Sequence, residues 1–233
     1  MNFITSFFKS SIGKKWIVAL TGIVLVGYVI GHLVGNLQVF AGPEKINQYA
    51  EMLHSLGPLL WVVRLFLLAC FVLHIVTTIL LVKQNREARE VRYEKVARVQ
   101  ATWASRTMAL SGLIVLSFVI YHLLHLTVRS TDERFKPIAQ GGALASEYDV
   151  HSMLILSFQH PLVAGFYLLS VFLLCLHMSH GLSSMVQTLG LNSKKTMPLI
   201  SHGGRILAWI IFAGYASIPL AVYFGVLKLH HPV

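Results

Sequence analysis

Long apolar runs separated by short polar stretches set the pattern of this chain. Five runs stand out, at about 16–40, 58–82, 106–128, 154–189 and 204–228. Each reaches or exceeds the roughly 20 residues that a helix needs to cross about 30 Å of hydrocarbon. Backbone groups find no water at that depth, so helices are the expected form. The pattern predicts an all-α integral membrane bundle of five transmembrane helices, a single domain over residues 1–233. The fourth run is long, so it is expected to tilt or to begin outside the membrane, with Pro161 suited to a first helical turn. The polar segments 41–57 and 129–153 have room for short interfacial helices. Lys14 and Lys15 precede the first run as in a signal peptide. That run is too long for one and has no clear small-residue cleavage site, so it is read as retained.

Composition agrees with a chain that faces lipid. Of 233 residues, 55% are hydrophobic and only 12% charged, against about a quarter charged in ordinary globular chains. Mean hydropathy is +0.68. Cys70 and Cys175 lie inside apolar runs, which excludes a disulfide framework and a CxxC metal clip. There is no phosphate-binding glycine loop, no soluble domain and no convincing internal repeat.

The net charge of +10 invites a nucleic-acid reading, but its placement argues for membrane orientation. Thirteen of the 19 cations fall on one side: Lys9, Lys14, Lys15, Lys83, Arg86, Arg89, Arg92, Lys95, Arg98, Arg106, Lys194, Lys195 and Arg205. Lys45, Arg129, Arg134, Lys136 and Lys228 fall on the other, and Arg64 lies within a span. The positive-inside bias puts the N-terminus and the 83–106 loop inside and the C-terminus outside. Membrane lipid, not nucleic acid, is the expected partner of this charge.

Twelve histidines outnumber the nine acids, although histidine is costly in hydrocarbon and tends to be functional there. Counting along the spans places four of them by depth. His32 and His122 each lie sixteen residues from the inner end of their helix, about 24 Å along it. His74 lies nine residues before Lys83, and His177 ten before Gln187, both about 14 Å from the inner edge. These are two pairs, each at one depth and each shared between two helices. Such pairs between apolar walls suit bis-histidine ligation of two haems b. A bland reading of any one of them is a hydrogen-bonded helix contact. His125 shares a face with His122, and His180 with His177; depth favours His122 and His177 as ligands. That leaves His125 and His180 for propionates or outer contacts. Gly27, Gly31 and Gly35 flank His32, and Gly181 follows His177. These glycines provide room for a haem or serve close helix contact. His54, His151, His160, His202, His230 and His231 sit near interfaces or termini, and for most of them solvated histidine is the expectation.

Four segments carry a family resemblance. SIGKKWIVALTGIVLVGYVIGHLVGN, Ser11 to Asn36, resembles the first helix of the cytochrome b558 membrane anchors of succinate dehydrogenases and fumarate reductases. GPEKINQYAEMLHSLGP, Gly42 to Pro58, is similar to the segment after it. LHMSHGLSSMVQTLGLN, Leu176 to Asn192, resembles the fourth-helix signature, and YHLLHLT, Tyr121 to Thr127, stands where the third-helix ligand belongs. The resemblance covers nearly the whole chain. It implies a dihaem anchor in the bacterial cytoplasmic membrane, with His32 and His122 at a distal haem and His74 and His177 at a proximal one. It also implies partners on the inner face: a flavoprotein with covalent FAD, and a subunit with three iron–sulfur clusters. Electrons would pass between these and a quinone, with menaquinone favoured. Some fumarate reductases of this type carry a glutamate two residues before the fourth-helix histidine, for transmembrane proton transfer. Cys175 stands there in this chain, so that route is not expected.

Other residues follow at lower rank. Arg64 lies about 15 Å outward of His74 along its helix, where a propionate or an acid is a natural partner and snorkelling to headgroups is the alternative. Arg106, Ser105, Gln187 and Thr188 lie where proximal propionates would emerge. Glu51 and His54 are the candidates for a quinone site that exchanges protons with the outside. The 83–98 loop is suited to the iron–sulfur subunit or to lipid headgroups. Two other functions fit the composition: the cytochrome b subunit of a formate dehydrogenase or hydrogenase, and a haem-free transporter with a histidine proton relay.

Overall fold

The structure is a computed structural model that describes residues 7–88 and 103–229; side chains 103–107 and 109 are not described. Most of the 83–98 loop, the side chains of Ser105 and Arg106, and His230 and His231 therefore lie outside the described residues. The fold is all-α, as the apolar pattern predicts. Its helices are α1 (Ser11–Asn36), α2 (Pro43–Ser55), α3 (Pro58–Glu87), α4 (Trp103–His122), α5 (Val150–Phe158), α6 (Pro161–Thr188) and α7 (Met197–Tyr223). Five helical stretches are long and apolar enough to cross a membrane: Ser11–Ala41, Pro58–Glu87, Leu110–Thr127, Pro161–Thr188 and Met197–Tyr223.

Local chemistry sets the helix ends. Ser10 caps α1, its hydroxyl accepting from the Gly13 amide at 2.9 Å, as expected of a helix N-cap. Proline begins α2, α3 and α6, where its missing N–H has no helical partner to lose. Gly57, at φ +52°, turns the chain from α2 into α3 through a conformation that most side chains disfavour. The 154–189 run divides into two helices. His160 is extended before Pro161, as the steric demand of a following proline requires. The first part becomes α5, a short buried helix that does not span. The last span starts earlier than 204, at Met197, because an exposed turn carrying His202 precedes its apolar part.

Helix α6 is the centre of the bundle. Ala164, Tyr167, Val171, Cys175 and Met178 are buried along it at three- and four-residue steps, one stripe of the helix surface. It packs against α4, α1 and α7, whereas α3 packs closely on α1 alone. Leu59, Val62, Leu65, Leu68, Val72, Val76 and Ile79 of α3 are exposed, as lipid-facing residues are. The polar segments 41–57 and 129–153 lie together at one end. There α2 packs on α5, and Phe135, Leu144, Met153 and Leu156 form a small core. His151 belongs to this cap and is only 3% exposed. The expectation of a solvated histidine fails at that position because the docking of α2 on α5 covers it.

Candidate functional site

The four intramembrane histidines come from four spans. His32 of α1 faces His122 at the end of α4, with ring centroids 5.8 Å apart and planes at 86°. Aromatic side chains enclose this pair. Tyr28 stacks on His32 at 5.4 Å, Phe118 lies 5.7 Å from His122, and Tyr167 lies 5.9 Å from it. Two imidazoles that bind one ion from opposite sides, with bonds of about 2 Å, have centroids roughly 6 Å apart. The observed spacing fits that geometry.

His74 of α3 and His177 of α6 form the second level, close enough to act on each other electrostatically. Each is tied to a neighbouring helix through Nδ1. His74 meets the Thr21 hydroxyl of α1 at 3.1 Å, and His177 meets the Ser111 hydroxyl of α4 at 3.2 Å. Thr21 lies eleven residues before His32, and Ser111 eleven before His122. At 1.5 Å per residue the two levels are about 16 Å apart on both helices, more than the difference of about 10 Å between the depths counted from the helix ends.

This contact exposes a repeat in the spacing of the chain. Thr21-Gly22 is followed after nine residues by His32, and Ser111-Gly112 after nine residues by His122. His74 lies sixteen residues after Pro58 at the start of α3, and His177 sixteen after Pro161 at the start of α6. The site residues of α1 and α3 are thus repeated in α4 and α6. The signal was in the spacing, but small hydroxyl residues in apolar runs read as filler until their contacts are seen.

His122 and His125 part company because the chain leaves the α-helix between them. Residues Leu123–Thr127 form a π-helical turn, a feature frequent at functional sites. His125 is 3% exposed, and its Nδ1 lies 2.9 Å from the Tyr167 hydroxyl. Its ring stacks on Tyr121 at 5.2 Å and packs against Phe135. So His122, and not His125, stands opposite His32. His180 lies near His177, one turn further along α6.

The second-rank residues are scattered. Arg64 lies over the Trp61 ring at 5.2 Å and near Tyr28, which stacks on His32. It is therefore at the level of the His32 pair, with the Trp61 ring beneath it. Gln187 is exposed at the opposite end of the bundle. Glu51 is exposed on α2, and His54 joins its Nδ1 to the Ala50 carbonyl at 2.8 Å, with its ring 5.1 Å from Tyr148. The structure does not bring Glu51 or His54 into contact with the histidine pairs.

The site's residues fit a haem on several counts. A Cβ added at Gly27, Gly31 or Gly181 would meet nothing within 4 Å. Gly35 differs, because a Cβ there would come 2.7 Å from Tyr49; it is the one member of the glycine series that serves close packing. The helices bearing His74 and His177, like those bearing His32 and His122, are not among the closely packed pairs. Ser170 lies seven residues before His177, on the same face of α6. Its hydroxyl is buried with no hydrogen-bond partner, a condition that costs about 1–3 kcal/mol unless something satisfies it. Among the described residues no cluster of three or more His, Cys, Asp or Glu could hold a bare metal ion. Paired ligation, in which a macrocycle supplies the other donors, needs only two.

Fold and site together define a helical protein built to span a membrane five times, with paired histidines at two levels of its interior. Comparison with protein-family models, with curated proteins and with solved structures gave no match.

Proposed function

We propose that this chain is a dihaem cytochrome b, the membrane anchor of a succinate:quinone oxidoreductase. The observation that carries the reading is the presence of two histidine pairs at two levels on four different spans. His32 and His122 would hold one haem, and His74 and His177 the other. Bound haem supplies reversible one-electron transfer. The chain's own residues ligate it, keep water from it and set its orientation. Tyr28, Phe118 and Tyr167 wall the His32 pair, and the Thr21 and Ser111 hydroxyls orient the other.

The positive-inside rule places the 83–106 loop in the cytoplasm and the α2–α5 cap outside. The basic side is then the docking face for an iron–sulfur subunit, itself joined to an FAD-bearing flavoprotein. His74 and His177 form the proximal pair and His32 and His122 the distal pair. A quinone, menaquinone by preference, would react near the cap, where Glu51 and His54 lie. Arg64 would meet a distal propionate, and Arg106 and Gln187 the proximal ones. The dicarboxylate chemistry belongs to the partner subunits.

The test is succinate-driven reduction of haem in membranes from a strain expressing the whole complex. Reduced-minus-oxidised spectra should show b-type haem reduced by succinate. Haem reduced by formate or hydrogen instead would assign the chain to another dehydrogenase. An absence of haem would point to a transporter.

A further inference from the structure

The four histidines are not seated alike, and the difference fixes where two protons are. Thr21 Oγ1 lies 2.7 Å from the Ile17 carbonyl oxygen and 3.2 Å from that of Val18. A carbonyl oxygen only accepts, so the single hydroxyl proton is donated within α1. The Thr21 oxygen then has only lone pairs to offer His74 Nδ1 at 3.1 Å. Nδ1 must be the donor. A neutral imidazole carries one N–H, so Nε2 of His74 is left as a free lone pair.

The same reasoning holds at the other half of the pair. Ser111 Oγ lies 3.1 Å from the Met108 carbonyl oxygen and 3.2 Å from His177 Nδ1. If its proton is donated to Met108, as that of Thr21 is to Ile17, His177 Nδ1 is the donor and Nε2 is bare. Each hydroxyl is followed by a glycine. A Cβ on Gly22 would lie 3.6 Å from His74 Cε1, and one on Gly112 would lie 3.5 Å from His177 Cε1. Each ring therefore lies against a glycine, where a single methyl group would already be in van der Waals contact with it. The seat is built twice, by Thr21-Gly22 and by Ser111-Gly112. Two independent occurrences argue against a chance contact.

The other pair lacks this seat. His122 Nδ1 is 3.4 Å from the Tyr167 hydroxyl, beyond the usual 2.7–3.2 Å range. That hydroxyl is nearer to His125, at 2.9 Å.

We propose that Thr21 and Ser111 are matched positioning residues that hold His74 and His177 in the Nδ1–H tautomer, with both Nε2 atoms free to bind one shared iron. The proposal rests on reading the site as haem-binding. It goes further by assigning the pair's orientation to two hydroxyls on neighbouring helices. Donation from Nδ1 also makes an imidazole a stronger ligand, which favours oxidised iron. The haem of this pair should therefore hold a lower potential with the hydroxyls than without them.

The test uses Thr21→Val, Ser111→Ala and the conservative Thr21→Ser in the purified whole complex. Haem per chain and the midpoint potential of each haem are measured by redox titration. Thr21→Val and Ser111→Ala should each weaken retention of the same single haem, by about 10–100-fold, and shift its potential upward. The second haem should not move, and Thr21→Ser should restore the wild-type values. Unchanged content and potentials in both variants would overturn the proposal. So would variants that shift different haems, because His74 and His177 would then not share an iron. If the wild-type complex holds no haem, the function proposed above fails, and the seat is read separately. Nitrogen-15 shifts of labelled His74 and His177 should report Nδ1–H in the haem-free chain, and Nε2–H at both would overturn the assignment.

Discussion

His122 and His125 are three positions apart and chemically identical, yet they have different surroundings. One faces His32 and the other is buried against Tyr167, Tyr121 and Phe135. His122→Ala should lose about half the haem per chain, since each proposed pair serves one iron. His125→Ala should keep both haems and cost stability instead, because it leaves a buried hydroxyl short of a partner. Haem quantification of the two purified variants checks this, and the reverse result would exchange the two roles. Gly22 and Gly112 give a second check. A Cβ at either position would already touch the ring and valine adds two methyl groups to it, so each variant should lose the haem held by His74 and His177. Spectra of Gly22→Val and Gly112→Val with both haems at wild-type level would show that the glycines do not shape the seat.

At the scale of elements, the cap depends on one carboxylate. Asp149 caps α5 by accepting from the Ser152 amide at 3.1 Å, accepts from the Ala145 amide at 3.1 Å, and takes the Asn47 side-chain amide of α2 at 3.1 Å. Asn47 in turn accepts from the His151 amide at 3.0 Å. Burial alone would raise the Asp149 pKa, but these hydrogen bonds outweigh it and hold it below the usual 3.8. A depressed carboxylate pKa contributes stability that is complete above the unfolded value and is lost as pH falls through the folded one. Amide hydrogen exchange in α5 should therefore be steady from neutral pH down to about 4, after intrinsic-rate correction, and protection should drop below that. Asp149→Ala should cost about 1–3 kcal/mol at neutral pH, read as lost protection in α5. Wild-type protection in that variant would mean that apolar packing alone holds the cap. The spans themselves were legible in the sequence, because helix rise and hydrocarbon thickness together fix their length. The division at Pro161 was only half legible. Proline marked a first turn, but the run on either side is equally apolar, and nothing local shows that 150–158 packs under α2 rather than continuing the span. The π-helical turn was not legible at all, since its hydrogen-bond shift depends on how Tyr167 and Phe135 pack around His125.

The whole molecule is a repeated helical hairpin with a fifth span laid against α1 and α6. Tyr215 of that span donates to the Val29 carbonyl at 2.7 Å. The grouping of four histidines into two levels was legible because helices count residues into distance. The hydroxyls that orient two of them were not, because a threonine or serine in an apolar run carries no signal of what it touches. If the distal pair and the quinone lie outside, electrons from the cytoplasmic clusters cross towards a positive exterior. A membrane potential assists that movement by about 2.3 kcal/mol per charge per 100 mV. On that reading Cys175, buried on α6, offers no carboxylate to carry compensating protons through the protein. Succinate oxidation by menaquinone in energised vesicles should accordingly slow when an uncoupler is added. An unchanged rate, with intact complex and saturating substrate, would place the quinone on the cytoplasmic side. If the two histidine pairs hold two haems, the haem stoichiometry of the purified complex reports it without assumptions about quinone or partners. Wild-type complex should carry two haems b per chain. Alanine at His32, His74, His122 or His177 should each leave about one, with the same haem lost within each pair. A wild-type chain without haem, or four variants that all retain two, would contradict it.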